Sequence, residues 1–178
     1  MSLKPWKILE TKYLQPEIRI DRCELSNGHI LDCHLLEYAD EIMVFALTVK
    51  QQVVLIQQYR HGIQQAILEL PGGSVDDGES PLEAAKRELM EETGYASNTF
   101  IEVGCGSPNP AIYTNKIYSF FAIDVEKTGN QSAYDIENIE VLLIPLDEVI
   151  VMAKRGDLLH SLNISTLFFV LEHLHRIL

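Results

Sequence analysis

The chain is short of basic charge, of cysteine and of long apolar runs, and each shortage closes off a class of function. Fourteen Lys and Arg stand against 26 Asp and Glu, giving a formal net charge of −12 at pH 7. That balance argues against a nonspecific grip on nucleic acid or on an anionic membrane, both of which reward clustered cations. The three cysteines, Cys23, Cys33 and Cys105, are odd in number, widely spaced and form no CxxC pair. Neither a disulfide framework nor a zinc cluster is expected from them, and reduced thiols in a cytoplasmic protein are the plain reading. The opening stretch MSLKPWKILE has no apolar core of signal-peptide length, and the run LFFVL is too short to span a bilayer. No internal repeat or low-complexity tract is present. No Gly-Lys-Ser/Thr follows a glycine-rich loop, so a phosphate-binding P-loop is excluded too.

What the 178 residues do contain is a globular composition, 47% hydrophobic and 22% charged, sufficient for one domain with a real core. The first third reads as β structure. IRIDRCEL and HILDCHLLEY flank Ser26-Asn27-Gly28, which predicts a type I′ hairpin turn. IMVFALTV and VVLIQQYR, separated by Lys50-Gln51-Gln52, predict a second hairpin, and AILELP a further strand ending at Pro71 and a flexible Gly72-Gly73. The period then changes. Ser80 as cap, Pro81 at the first position and Glu83 closing a capping box start a helix, and Gly94 stops it. The helix is predicted over residues 81–93, with Leu82, Ala85 and Leu89 as its buried stripe. TFIEVGCG, IYSFFAIDV and NIEVLLIPL read as later strands. Asp147 is expected to cap a short helix ending near Gly156, and a last helix is expected over 163–177 with Leu167, Val170, Leu171 and Leu174 inward. The fold class that follows is α/β, a sandwich with a mixed sheet. A small N-terminal antiparallel β subdomain is placed at 1–45, with the main domain at 46–178.

The predicted helix is crowded with one sign of charge. Seven acidic residues lie between Asp76 and Glu92, and like charges that close destabilise a helix by a few tenths of a kcal/mol per pair. Glu88, Glu91 and Glu92 fall within a sector of about 100° because i+3 and i+4 neighbours share a face. That sector borders the buried stripe, so Glu92 is expected to be partly shielded from water. A solvated charged face would alternate its signs, and here Lys86 and Arg87 do not neutralise all the acids. A hard dication such as Mg²⁺ or Mn²⁺, which prefers oxygen ligands, would turn the repulsion into attraction. Gly72 and Gly73 allow the backbone to approach such a ligand.

Gly73, Glu79, Arg87, Glu88, Leu89, Glu91, Glu92, Gly94 and Tyr95 stand in the register G-x5-E-x7-R-E-U-x-E-E-x-G-U, with U apolar. This segment resembles the signature of the Nudix hydrolases, Tyr95 being aromatic where aliphatic residues are more usual. The resemblance implies an α/β/α sandwich and metal-dependent hydrolysis of a nucleoside diphosphate linked to another moiety. It implies metal-ligand oxygens on Glu88, Glu91 and Glu92, with Glu92 bridging ions, and a metal-facing carbonyl on Gly72. Arg87 would orient the glutamates, and Glu79 would brace the loop. Mg²⁺ is the implied cofactor, with Mn²⁺ as substitute.

Outside that box, QQYRHG, LELPGG and Pro110 in GSPNPAIYTNK resemble the ADP-ribose pyrophosphatase subgroup, as do the extra N-terminal strands. In that subgroup those strands help form a homodimer. Pro108-Asn109-Pro110 stands where relatives commonly read Pro-Gly, and Pro71-Gly72-Gly73 where they read Pro-Ala-Gly. Arg60 is the candidate for a direct phosphate contact, its planar fork suiting diphosphate oxygens. Pro110 is a candidate substrate-binding residue. The box glutamates are expected to be occupied by metal, and the resemblance implies a glutamate in a late loop as general base, for which Glu137 in YDIENIEV is the candidate. The expected reaction is conversion of ADP-ribose to AMP and ribose 5-phosphate. GDP-mannose or another nucleotide sugar, or a nonhydrolytic nucleotide sensor, are the alternatives left open.

Overall fold

A computed structural model describes residues 7–15, 18–131 and 139–175. The chain divides into two compact units, residues 1–39 with 107–116, and residues 40–106 with 117–178.

The first unit is a three-stranded antiparallel sheet, β1 (Lys7–Gln15), β2 (Ile18–Glu24) and β3 (Ile30–Leu36), in that order. The hairpin between β2 and β3 forms where it was expected but with a different turn. Gly28 N–H donates to Leu25 O at 2.9 Å, and only Gly28 carries a positive φ, of 79°. A type I′ turn needs Asn27 left-handed as well. The chain instead takes a type I turn closed by a left-handed glycine, while Asn27 Oδ1 accepts the His29 N–H at 3.0 Å. The segment 107–116 belongs to this unit. Leu36 N–H donates to Ile112 O at 2.7 Å, and Tyr38 and Tyr113 stack with ring centroids 5.8 Å apart.

The second unit is built on β4 (Glu41–Leu47), β5 (Gln52–Arg60), β6 (Gln65–Glu69) and β7 (Gly72–Ser74). Then come α1 (Pro81–Thr93), β8 (Tyr95–Ala96), β9 (Thr99–Gly106), β10 (Ile117–Ile123) and β11 (Glu126–Lys127). β12 (Glu140–Pro145), α2 (Leu146–Arg155) and α3 (Ser161–His173) complete it. The sheet order is β12-β5-β4-β10-β9, with β10 parallel to β4 and the other neighbours antiparallel. β4, which a boundary at residue 45 would cut, lies whole within this sheet. Its side chains alternate between two cores, as a pleat demands. Ile42, Val44 and Ala46 face Ala84, Ala85 and Leu89 of α1. Met43, Phe45 and Leu47 face Leu146 and Val149 of α2 and Leu167 and Val170 of α3. The unit is therefore an α/β/α sandwich.

The predicted second hairpin holds only at its base. β4 and β5 pair at Ala46–Val54 and Leu47–Val53, after which β5 pairs with β6 and β4 with β7. The sheet forks there. Gly72 and Gly73 are consequently strand residues rather than a flexible tether.

α1 spans Pro81–Thr93, as predicted, with the Ser80/Glu83 capping box and a left-handed Gly94 at φ 73°. Its buried stripe is Ala84, Ala85, Leu89, Glu92 and Thr93. Leu82 is 39% exposed, since the small Ala84 rather than Leu82 meets the sheet where the helix starts. Asp147 does not cap α2; Pro145 holds the cap position and Asp147 sits in the first turn. α3 starts at Ser161, two residues before the expected Asn163.

Candidate active site

Two groups of polar side chains flank β7 in the second unit. The first is organised by Arg87. Its guanidinium donates through Nε and Nη2 to the two oxygens of Glu79, at 3.0 and 2.8 Å. Nη1 donates to Glu88 Oε1 at 2.7 Å and to Glu91 Oε2 at 3.3 Å, and Nη2 also reaches Ser74 O at 3.0 Å. The planar fork thus ties α1 to the loop before it, which a lysine has too few fixed donors to do. Hydrogen bonds from Arg87 hold the Glu79 carboxyl below the ordinary range, and the same bonds push the guanidinium further up.

Glu92 is 8% exposed. Its Oε2 accepts the Gly72 N–H at 2.9 Å, so the Gly72 backbone lies directly against this carboxylate. A Cβ on Gly73 would lie 2.6 Å from Glu88 Cδ and overlap Oε1, and one on Gly72 would overlap the Ile42 carbonyl oxygen. Both glycines are therefore close-approach positions. Among the described residues, no three carboxylate, imidazole or thiolate groups close into a ready cation cage. The donor chemistry nonetheless fits a hard cation, being all oxygen and approached by bare backbone where a side chain could not fit.

The second group lines a cleft of about 580 Å³ opened by the fork. Its walls include Glu41, Arg60, Ile67, Glu69, Gly73 and His160. Arg60 Nε donates to Glu69 Oε2 at 2.6 Å, and His160 Nδ1 lies 2.8 Å from Glu69 Oε1. Burial pushes the Glu69 carboxyl up, but the neighbouring His160 and Arg60 outweigh it and leave the pKa below the usual range. Burial wins at Glu41, which is raised despite the opposing charges of His160 and Arg60.

Gly72, Arg87, Glu88, Glu91 and Glu92 therefore gather around β7 and α1, and Arg60 lies in the adjoining cleft. Pro110 is exposed and belongs to the first unit. Glu137 lies outside the described residues. Glu41, Glu69 and His160 were not anticipated. For Glu69 a signal existed, an acid inside the otherwise apolar AILEL run; for His160 none did.

A model of the NUDIX domain matches residues 37–162. The chain is 26% identical over 159 residues to the methanol dehydrogenase activator of Bacillus methanolicus, covering 84% of this chain and 86% of that one. It is 23% identical over 142 residues to an ADP-ribose pyrophosphatase of Bacillus subtilis strain 168, covering 79% and 77%. A crystal structure of an ADP compounds hydrolase superposes with a TM-score of 0.85 at 25% identity, over 99% of this chain and 100% of that one.

Proposed function

The chain belongs to the NUDIX family as a pyrophosphohydrolase, and on that premise we propose that it hydrolyses the diphosphate of ADP-ribose with the help of Mg²⁺. Water adds its oxygen to one phosphorus, the P–O–P bond breaks, and AMP and ribose 5-phosphate leave with release of a proton. The observation that carries this reading is the close approach of Gly72 and Gly73 to Glu92 and Glu88, an oxygen-rich corner opening on a cleft that contains Arg60. Glu88, Glu91, Glu92 and the Gly72 carbonyl are the residues that would hold Mg²⁺, with Mn²⁺ as a substitute. When bound, the cation would supply polarisation of the diphosphate and a more acidic water.

The chain's own side chains do the rest. Arg87 keeps Glu88 and Glu91 oriented from behind. Arg60 presents its terminal nitrogens to the diphosphate, a match of fork to anion. Glu137 is the proposed base and Pro110 a proposed substrate contact. We assign the working compartment as the cytoplasm and the working form as a homodimer, the latter supported by the exposed Leu9, Tyr13, Ile30 and Tyr38 of the first unit.

A panel of nucleotide sugars with Mg²⁺, read out as released nucleoside monophosphate, tests the reading. ADP-ribose should be turned over fastest, and chelation with EDTA should abolish turnover. Preference for GDP-mannose would reassign the substrate, and tight binding with no turnover of any diphosphate would make the chain a sensor.

A further inference from the structure

Glu69 is 1% exposed, a position where an isolated carboxylate is costly. It is not isolated, because each of its oxygens has a side-chain nitrogen close by. Oε2 takes the Arg60 Nε–H at 2.6 Å and Oε1 faces His160 Nδ1 at 2.8 Å. Its neighbours in the strand are fixed as well. Buried Asn163 on α3 accepts the Leu70 N–H at 3.1 Å and donates to Leu68 O at 3.2 Å. The first turn of α3 and the residue before it thus hold the backbone on either side of Glu69 and one of its oxygens. Both contacts favour its charged form, which makes it a poor candidate for taking a proton from water. What it does control is the direction of Arg60, whose side chain is 45% exposed.

We propose that Glu69, fixed from α3 by His160 and Asn163, is a positioning residue that aims Arg60 into the cleft so that its Nη edge meets the substrate's diphosphate. Glu69 grips the guanidinium by Nε, and the Nη nitrogens carry the donors for the anion. The proposal rests on the reading of the cleft as a diphosphate site. Its physical content is entropic: a long arginine at a strand end samples many rotamers, and the clamp removes that cost before substrate arrives.

A double-mutant cycle tests it. Glu69→Gln should raise KM for ADP-ribose by about tenfold to a hundredfold, the worth of a charge-assisted hydrogen bond, with kcat changed far less. In an Arg60→Ala background the same substitution should add less than about twofold, because a residue acting through Arg60 has nothing left to act on. His160 is more accessible, with its side chain 34% exposed. His160→Gln therefore carries the cycle should Glu69→Gln fail to fold, with a smaller KM effect that likewise vanishes without Arg60. Losses that multiply in the Arg60→Ala background, or a fall in kcat at constant KM, would overturn the clamp. Calorimetric binding of inorganic pyrophosphate without divalent ions repeats the cycle with no turnover needed. Coupling there, with no hydrolysis by the wild type, would overturn the enzymatic reading and leave the clamp standing.

Discussion

Adjacent glycines in β7 should respond in opposite ways to the same substitution. Neither Gly72 nor Gly73 has a positive φ, so alanine is conformationally allowed at both, and only space decides. On Gly72 the new methyl would overlap the carbonyl oxygen of Ile42, which is backbone held in the β4–β7 ladder. Neither strand can yield without losing pairs, and Pro71 O also accepts the Val44 N–H at 2.8 Å. A cost of about 3 kcal/mol is expected, typical of a forced core contact, which for a chain of this size lowers Tm by roughly 6–12 °C. On Gly73 the methyl meets the end of a movable side chain. Glu88 Cδ has to retreat from 2.6 Å to the 3.4 Å of ordinary contact, about 0.8 Å. That movement weakens the 2.7 Å bond from Arg87, while alanine gains about 0.4–1 kcal/mol by restricting the unfolded chain. Gly73→Ala should therefore keep Tm within a few degrees yet lose roughly a hundredfold in turnover, the usual consequence of a 1 Å misplacement in a reacting site. Calorimetric unfolding and ADP-ribose hydrolysis on both variants measure the contrast. A folded Gly73→Ala protein with turnover within threefold of wild type would refute the idea that this glycine makes room for Glu88.

Three further outcomes can be measured, the first resting on the proposed role of Glu137 and the others on the structure. Glu137→Gln should reduce kcat by about a hundredfold to ten-thousandfold with binding kept, as loss of a general base does; a twofold change would remove Glu137 from the reaction. Glu69 and Glu79 both have folded pKa values below their unfolded ones, so the stability they supply is complete above about pH 4.3 and is lost as pH falls through the folded values. Tm should drop on acidification below about pH 4, less steeply in Glu69→Gln, with the raised Glu41 opposing part of the slope. Mg²⁺ at a hundred times its Kd should stabilise the fold by about 2.7 kcal/mol, a rise in Tm that Glu92→Gln should abolish.

Local signals made α1 legible and distant ones hid the cleft. The capping box, Pro81 and Gly94 lie within one helix length of each other and act through neighbouring backbone groups, so the sequence could be read to the residue. Leu82 shows the limit of that reading. Helical periodicity locates a stripe, but which residues of the first turn meet the sheet depends on the partner surface, and here Ala84 and Ala85 pack against it while Leu82 does not. Gly72-Gly73 was read as slack because glycine is locally permissive, whereas the pair is required by what approaches it from β4 and α1. Glu69, His160 and Asn163 meet across more than ninety residues, and Asn163 reaches Leu70 at a separation of 93. No period in the chain encodes that meeting. The fork in the sheet creates it, since past Val54 β5 pairs with β6 while β4 pairs with β7.

The acidic helix finally makes sense as a charge balance with one term withheld. Asp76, Glu79, Glu88 and Glu91 all lie within ion-pair distance of Arg87, so four carboxylates share one guanidinium. Glu92 adds a further carboxyl from the buried side. Arg87 is enough to let the segment fold, because its five donors are distributed over three acids and the Ser74 carbonyl. It is too little to neutralise them. The surplus that costs the helix a few tenths of a kcal/mol per like-charged pair is thus the same surplus that an oxygen-seeking dication would relieve. Its placement beside Gly73 puts that relief at the mouth of the cleft rather than on an indifferent surface.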